Sequence, residues 1–94
     1  MKDIERKVGD LVEEIIHPLS LCLVRVEYVQ EEGEWFLRVF ITKEEGIQIE
    51  DCVLVSKALS RRLDEEDFIK TQYHLEVSSP GIDNSQEDEG GKIG

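Results

Sequence analysis

The sequence predicts an α+β fold, a two-layer α-β-β-α-β sandwich whose three-stranded mixed sheet carries two helices on one face. Three observations predict it. Apolar residues recur at helical spacing near the N-terminus and again after residue 50. A polar, glycine-containing turn joins two β-rich runs. A third alternating run leads into Ser79-Pro80-Gly81. Three strands in one small chain can bury only one sheet face, so both helices belong on the same side.

The first helix is read from Ile4, Val8, Leu11, Val12, Ile15 and Ile16, which share one helical face. Asp3 can cap its start, and His17-Pro18 closes it, because a proline biases the residue before it away from the α region. Residues 21–29 form the first strand. Alternation puts Cys22, Val24, Val26 and Tyr28 on one face and Leu21, Leu23, Arg25, Glu27 and Val29 on the other. The polar stretch 30–34 turns the chain, and Trp35 to Ile41 returns as an antiparallel second strand.

A second helix begins around Glu50-Asp51, whose charges suit the positive end of its dipole. Cys52, Val55, Leu59 and Leu63 mark its buried stripe, and the acidic run 64–67 sits at its end. Tyr73 to Ser78 is the third strand. It runs parallel to the second, because the helix carries the chain back. The expected order places the first strand in the centre. Pro80 and Gly81 then suit a type II turn. After Ile82 the apolar periodicity stops, which divides the chain into a domain over residues 1–82 and an acidic, glycine-containing tail over 83–94, expected to be disordered.

Composition limits function. Ninety-four residues support one modest core and leave little room for an enclosed active site. Eleven basic against 22 acidic residues leave a formal charge of −11, which repels phosphate backbones and attracts basic proteins, although solubility alone accounts for it equally well. No apolar run reaches the roughly 18–20 residues that span a bilayer, and the start Met1-Lys2-Asp3 has no signal-peptide character, so a cytoplasmic protein is expected. In that compartment Cys22 and Cys52 read as two inert, mostly buried thiols.

Catalytic patterns are lacking. His17 and His74 stand far apart in sequence, the cysteines and histidines have no metal-ligand spacing, and no phosphate-binding glycine loop occurs. The reading is therefore no enzyme, no catalytic residue, no metal and no cofactor. His17 suits a helix C-terminus, His74 a surface position, and the glutamates at 31, 32 and 34 a solvated hairpin tip.

One group of residues stands out. If Leu37, Val39 and Ile41 face the helices, Phe36, Arg38 and Phe40 face away and share the uncovered side with Arg25, Glu27, His74 and Glu76. Aromatic and arginine residues on an open sheet face are the composition of a binding surface. The alternative is that long charged side chains and the tail cover the rings. In either case Arg25 and Arg38 are expected to pair with Glu27 and Glu76 across strands.

The segments Val26-Glu27-Tyr28-Val29 and Gly33 to Ile41, then Gly46-Ile47, Glu50-Asp51-Cys52 and Val55 to Ser60, and finally Glu76-Val77-Ser78-Ser79-Pro80-Gly81 together resemble the N-terminal domain of the RimP family. The resemblance spans about residues 3–83, and its most specific part is the domain-closing turn Ser78, Ser79, Pro80 and Gly81. It implies a non-enzymatic factor for maturation of the small (30S) ribosomal subunit. The implied partners are free small subunits and a basic small-subunit protein near the decoding centre, with no membrane and no direct nucleic-acid binding by this domain. Asn84-Ser85-Gln86 departs from the family pattern, and the family's SH3-like second domain does not follow, so a fragment or a short product is expected. The competing reading is a KH-like module binding small-subunit RNA directly. It lacks the GXXG loop such modules use, and the acidic balance opposes it.

Overall fold

The computed structural model describes residues 2–80. Helix α1 spans Lys2–Ile16 and passes through a 3-10 turn, His17–Leu19, into strand β1, Cys22–Glu31. Strand β2 is Glu34–Thr42, helix α2 is Ile49–Glu66, and strand β3 is Tyr73–Ser78. The expected element order and the two-layer mixed-sheet architecture are both present. Asp3 lies inside the first turn of α1 rather than capping it, and pairs with Arg6 at 3.4 Å. His17 sits exposed in the 3-10 turn.

β2 is the central strand, not β1. It pairs antiparallel with β1 and parallel with β3, in the order β1-β2-β3. The far edge of β1 is taken by α1, whose Glu5 carboxylate accepts a 2.9 Å hydrogen bond from the Tyr28 backbone N–H. That bond satisfies a strand group which an edge would otherwise present to another chain. The free edge of β2 is left for β3. Leu37, Val39 and Ile41, all with no exposed surface, anchor the centre of the sheet.

The hairpin turn is tighter than the polar stretch 30–34 implies. Glu31 and Glu34 are paired, and only Glu32 and Gly33 connect them. Both have positive φ, 51° and 81°, which is the signature of a type I′ turn and matches the twist of the strands it joins.

A β-bulge at Val24 changes the reading of β1. Leu23 pairs with Ile41 but Arg25 pairs with Phe40, so Val24 has no opposite residue. Upstream of the bulge the alternation is inverted. Leu21 and Leu23 therefore face the core, whereas Val24 is 43% exposed. Cys22 is exposed too, contrary to the expectation of a mostly buried thiol, while Cys52 packs half-buried against the core. Burial pushes the Cys52 thiol pKa up, with the Asp51 charge adding to it.

Both helices cover the core face. Val8, Leu11, Val12 and Ile16 of α1 and Val55, Leu59 and Leu63 of α2 are buried against it. The Lys7 ammonium lies 5.3 Å from the Phe68 ring, and two turns later Glu14 meets Arg62 at 2.8 Å, so the helices run antiparallel. At the start of α2 the Gln48 N–H donates to Asp51 Oδ2 at 2.9 Å, and the Lys43 ammonium is 3.6 Å from the same oxygen. The helix ends at Asp67, in the left-handed region at φ 53°, whose N–H closes on the Leu63 carbonyl.

Gly9 allows α1 to approach β1, but an added Cβ there would meet Leu23 Cδ2 at an ordinary 3.8 Å. Gly9→Ala is expected to stabilise the domain by about 0.5–1 kcal/mol through helix propensity and a less flexible unfolded chain. A higher urea midpoint with an unchanged slope is the result to look for. A lower midpoint would show that the helix cannot keep its distance from the strand.

Of the domain-closing turn, Ser78 ends β3, Ser79 is half-buried and Pro80 lies in a turn. Gly81, the domain boundary at residue 82 and the 83–94 tail lie outside the described residues.

Candidate protein-binding face

The side of the sheet away from the helices is set by strand register. Its residues fall into three rows across β1, β2 and β3. These are Arg25, Phe40 and Ser78; then Glu27, Arg38 and Glu76; then Val29, Phe36 and His74. All six residues singled out from the sequence are therefore on this face, with Arg38 at its middle.

The polar groups of the face engage one another. Arg38 donates two hydrogen bonds to the Glu31 carboxylate, at 3.0 and 3.1 Å, and a third from Nε to Glu76 at 3.0 Å. A two-pronged arginine–carboxylate contact fixes orientation better than a single bond does. Only 26% of the Arg38 side chain is exposed, against 51% for Arg25. Arg25 donates from Nε to Glu27 at 2.8 Å along its own strand, not across strands as expected. No carboxylate stands directly across the sheet from Arg25, whose row continues through Phe40 to Ser78, and the along-strand neighbour Glu27 is within reach.

Both phenylalanine rings are covered. The Arg25 guanidinium lies 4.1 Å from the Phe40 centroid, and that of Arg38 lies 4.9 Å from Phe36. His74 stacks on the other ring neighbour, Phe36, at 5.0 Å and bonds through Nε2 to Glu34. Charged side chains thus do cover the rings, and the face is a lattice of cations over aromatics held by carboxylates. Two arginines stand against the four glutamates 27, 31, 34 and 76, a formal −2 with His74 neutral.

Arg38 holds the Glu31 carboxyl below its ordinary pKa, first through the hydrogen bonds and further through its charge, with desolvation opposing. The Arg38 pKa is raised in return, mainly by its bonds to Glu31 and Glu76. A carboxyl whose pKa is lowered by folding stabilises the fold above its unfolded pKa. That stabilisation disappears as the pH falls through the folded value. The Arg38–Glu31 contact is therefore complete at neutral pH and is lost as Glu31 takes up a proton in acid.

Glu31 and Glu34 belong to this lattice, whereas their sequence context suits a solvated hairpin tip. Extending the alternation Glu27, Val29 by one step places Glu31 on the same face, and that was the available signal.

Among the described residues no group of three His, Cys, Asp or Glu side chains is placed to hold a metal ion. No described helix is long and apolar enough to cross a membrane. A family model of the RimP N-terminal domain matches residues 11–83, from the middle of α1 past the end of β3. The chain belongs to that family. The RimP family consists of ribosome maturation factors, so the domain's role lies in ribosome maturation. The match includes every strand of the lattice, and the RimP fold is what brings Arg25, Arg38 and Glu76 from three strands to one surface.

Proposed function

We propose that this domain is a non-enzymatic, cytoplasmic assembly module for the small (30S) ribosomal subunit, and that it binds free small subunits through a basic small-subunit protein. Phe36, Arg38, Phe40, Arg25, Glu27 and Glu76 form the contact. The observation that carries this reading is the carboxylate excess of an ordered lattice on the uncovered sheet face. A basic side chain from a partner can compete for Glu27, Glu31 or Glu76, while the rings beneath supply apolar area as the arginines shift. The formal −11 of the chain speeds encounter with a basic protein and opposes contact with bare phosphate backbones.

Replacing both rings, Phe36→Ser with Phe40→Ser, tests the assignment. The expected result is a loss of small-subunit affinity of at least about tenfold, within the range of an interface anchor, while the circular dichroism spectrum and a cooperative unfolding transition are kept. Undiminished binding by the folded double variant would remove the face from the interface.

A further inference from the structure

Beside the lattice lies a cleft of about 580 Å³, between the last turns of α2, the start of β3 and the hairpin. Trp35 and Tyr73 are register partners on β2 and β3 and both line the cleft. They lie on the core side of the sheet, and each is only half-buried. Trp35 is held in place from behind by Tyr28, whose ring stacks on it at 4.6 Å with the planes 12° apart. Tyr28 in turn is fixed by a 2.6 Å hydrogen bond between its hydroxyl and that of Thr71.

Asp64 from α2 lines the cleft with the two rings, and no lysine or arginine does; Glu34 and His74 also line it, but alternation assigns their side chains to the opposite face of the sheet. Among the described residues Asp64 has no cationic partner, although Arg62, two residues away, engages three other glutamates. Asp64 is close enough to Tyr73 that its charge is one cause, after burial, of a raised phenol pKa. Glu34 uses one oxygen on His74. Gly33 contributes no side chain to block the entrance.

We infer that this cleft binds an arginine side chain of a basic polypeptide, with the guanidinium against Trp35 and Tyr73 and its charge met by Asp64. A planar cation gains from aromatic faces and from carboxylates at the same time, and it loses less on leaving water than an ammonium does. The volume is in the range of side-chain and small-ligand sites. A phosphate-bearing partner is disfavoured by the same carboxylate. The inference rests on residues distinct from the six proposed to form the sheet-face contact, so either can fail without the other.

The test is an NMR titration of the isotopically labelled 94-residue chain with N-acetyl-arginine amide, alongside its neutral near-isostere N-acetyl-citrulline amide. Saturable shifts are expected at the Trp35 indole N–H and at the Gly33 and Gln72 amides with the arginine compound, and none with citrulline at equal concentration. Asp64→Asn should weaken the arginine titration roughly fivefold, the loss of about one exposed charge interaction, with the rest of the spectrum unmoved. Three results would each overturn the assignment. They are equal shifts with citrulline, non-saturating shifts spread over the acids of α1, and an unchanged titration in Asp64→Asn.

Discussion

Leu59→Ala is expected to lower the unfolding free energy by about 3 kcal/mol, the middle of the range for deleting a fully buried leucine side chain. Leu59 has no exposed surface and sits between Val55 and Leu63 on the only buried stripe of α2. Truncation leaves a cavity in the core cluster that Leu59 shares with Leu37, Val39 and Ile41, and paired strands cannot readily move in to fill it. In a domain of this size such a loss is a large share of the roughly 5–14 kcal/mol available and should lower Tm by about 12–24 °C. Leu54→Ala is the control on the same helix. Leu54 is 49% exposed, and its removal should change stability by no more than about 0.5 kcal/mol. Equal losses at the two positions would mean that α2 does not present the stripe described.

Tyr28→Ala should cost a comparable amount, about 3–5 kcal/mol, whereas Tyr28→Phe should cost only about 1 kcal/mol, the value of one hydrogen bond. The ring is 4% exposed and packs between the core and Trp35, while the hydroxyl reaches Thr71 in the segment that leads into β3. The larger part of the residue's contribution is therefore burial and stacking rather than the hydroxyl. Trp35, the sole tryptophan, reports the transition directly by fluorescence. If the phenylalanine variant proved as damaging as alanine, the Thr71 bond would be holding the α2–β3 connection in place to an extent the burial argument does not allow.

The helices were legible in the sequence because their apolar residues keep a period over four turns. The stripes Val8, Leu11, Val12, Ile16 and Val55, Leu59, Leu63 are the buried ones. The phase of β2 was legible for the same reason, since Leu37, Val39 and Ile41 alternate with larger polar or aromatic residues. The start of β1 was not. Leu21 to Val24 are all apolar or nearly so, and such a run carries no phase, so nothing local announces a bulge at Val24 or the outward turn of Cys22. Strand order was illegible because it depends on which edge of the hairpin remains free. α1 packs along the outer edge of β1, where Glu5 accepts from the Tyr28 N–H, and no local pattern announces that tertiary contact.

The shared placement of Arg25, Glu27, Phe36, Arg38, Phe40 and Glu76 on the uncovered sheet face followed from alternation downstream of the bulge. The missing members of that face, Glu31 and Glu34, were hidden because acids beside a glycine read as a loop, while a type I′ turn needs only two residues and leaves both in the strands. The cleft was hidden for a different reason. Trp35 and Tyr73 look like ordinary core positions, and only the point where α2 ends leaves them half uncovered.

The most direct test of the assembly role is co-sedimentation of the 94-residue chain with purified free small subunits, large subunits and assembled ribosomes. The account predicts selective binding to free small subunits, abolished by Phe36→Ser with Phe40→Ser. A chain shown to be folded that binds none of the three, or binds all of them alike, would contradict it.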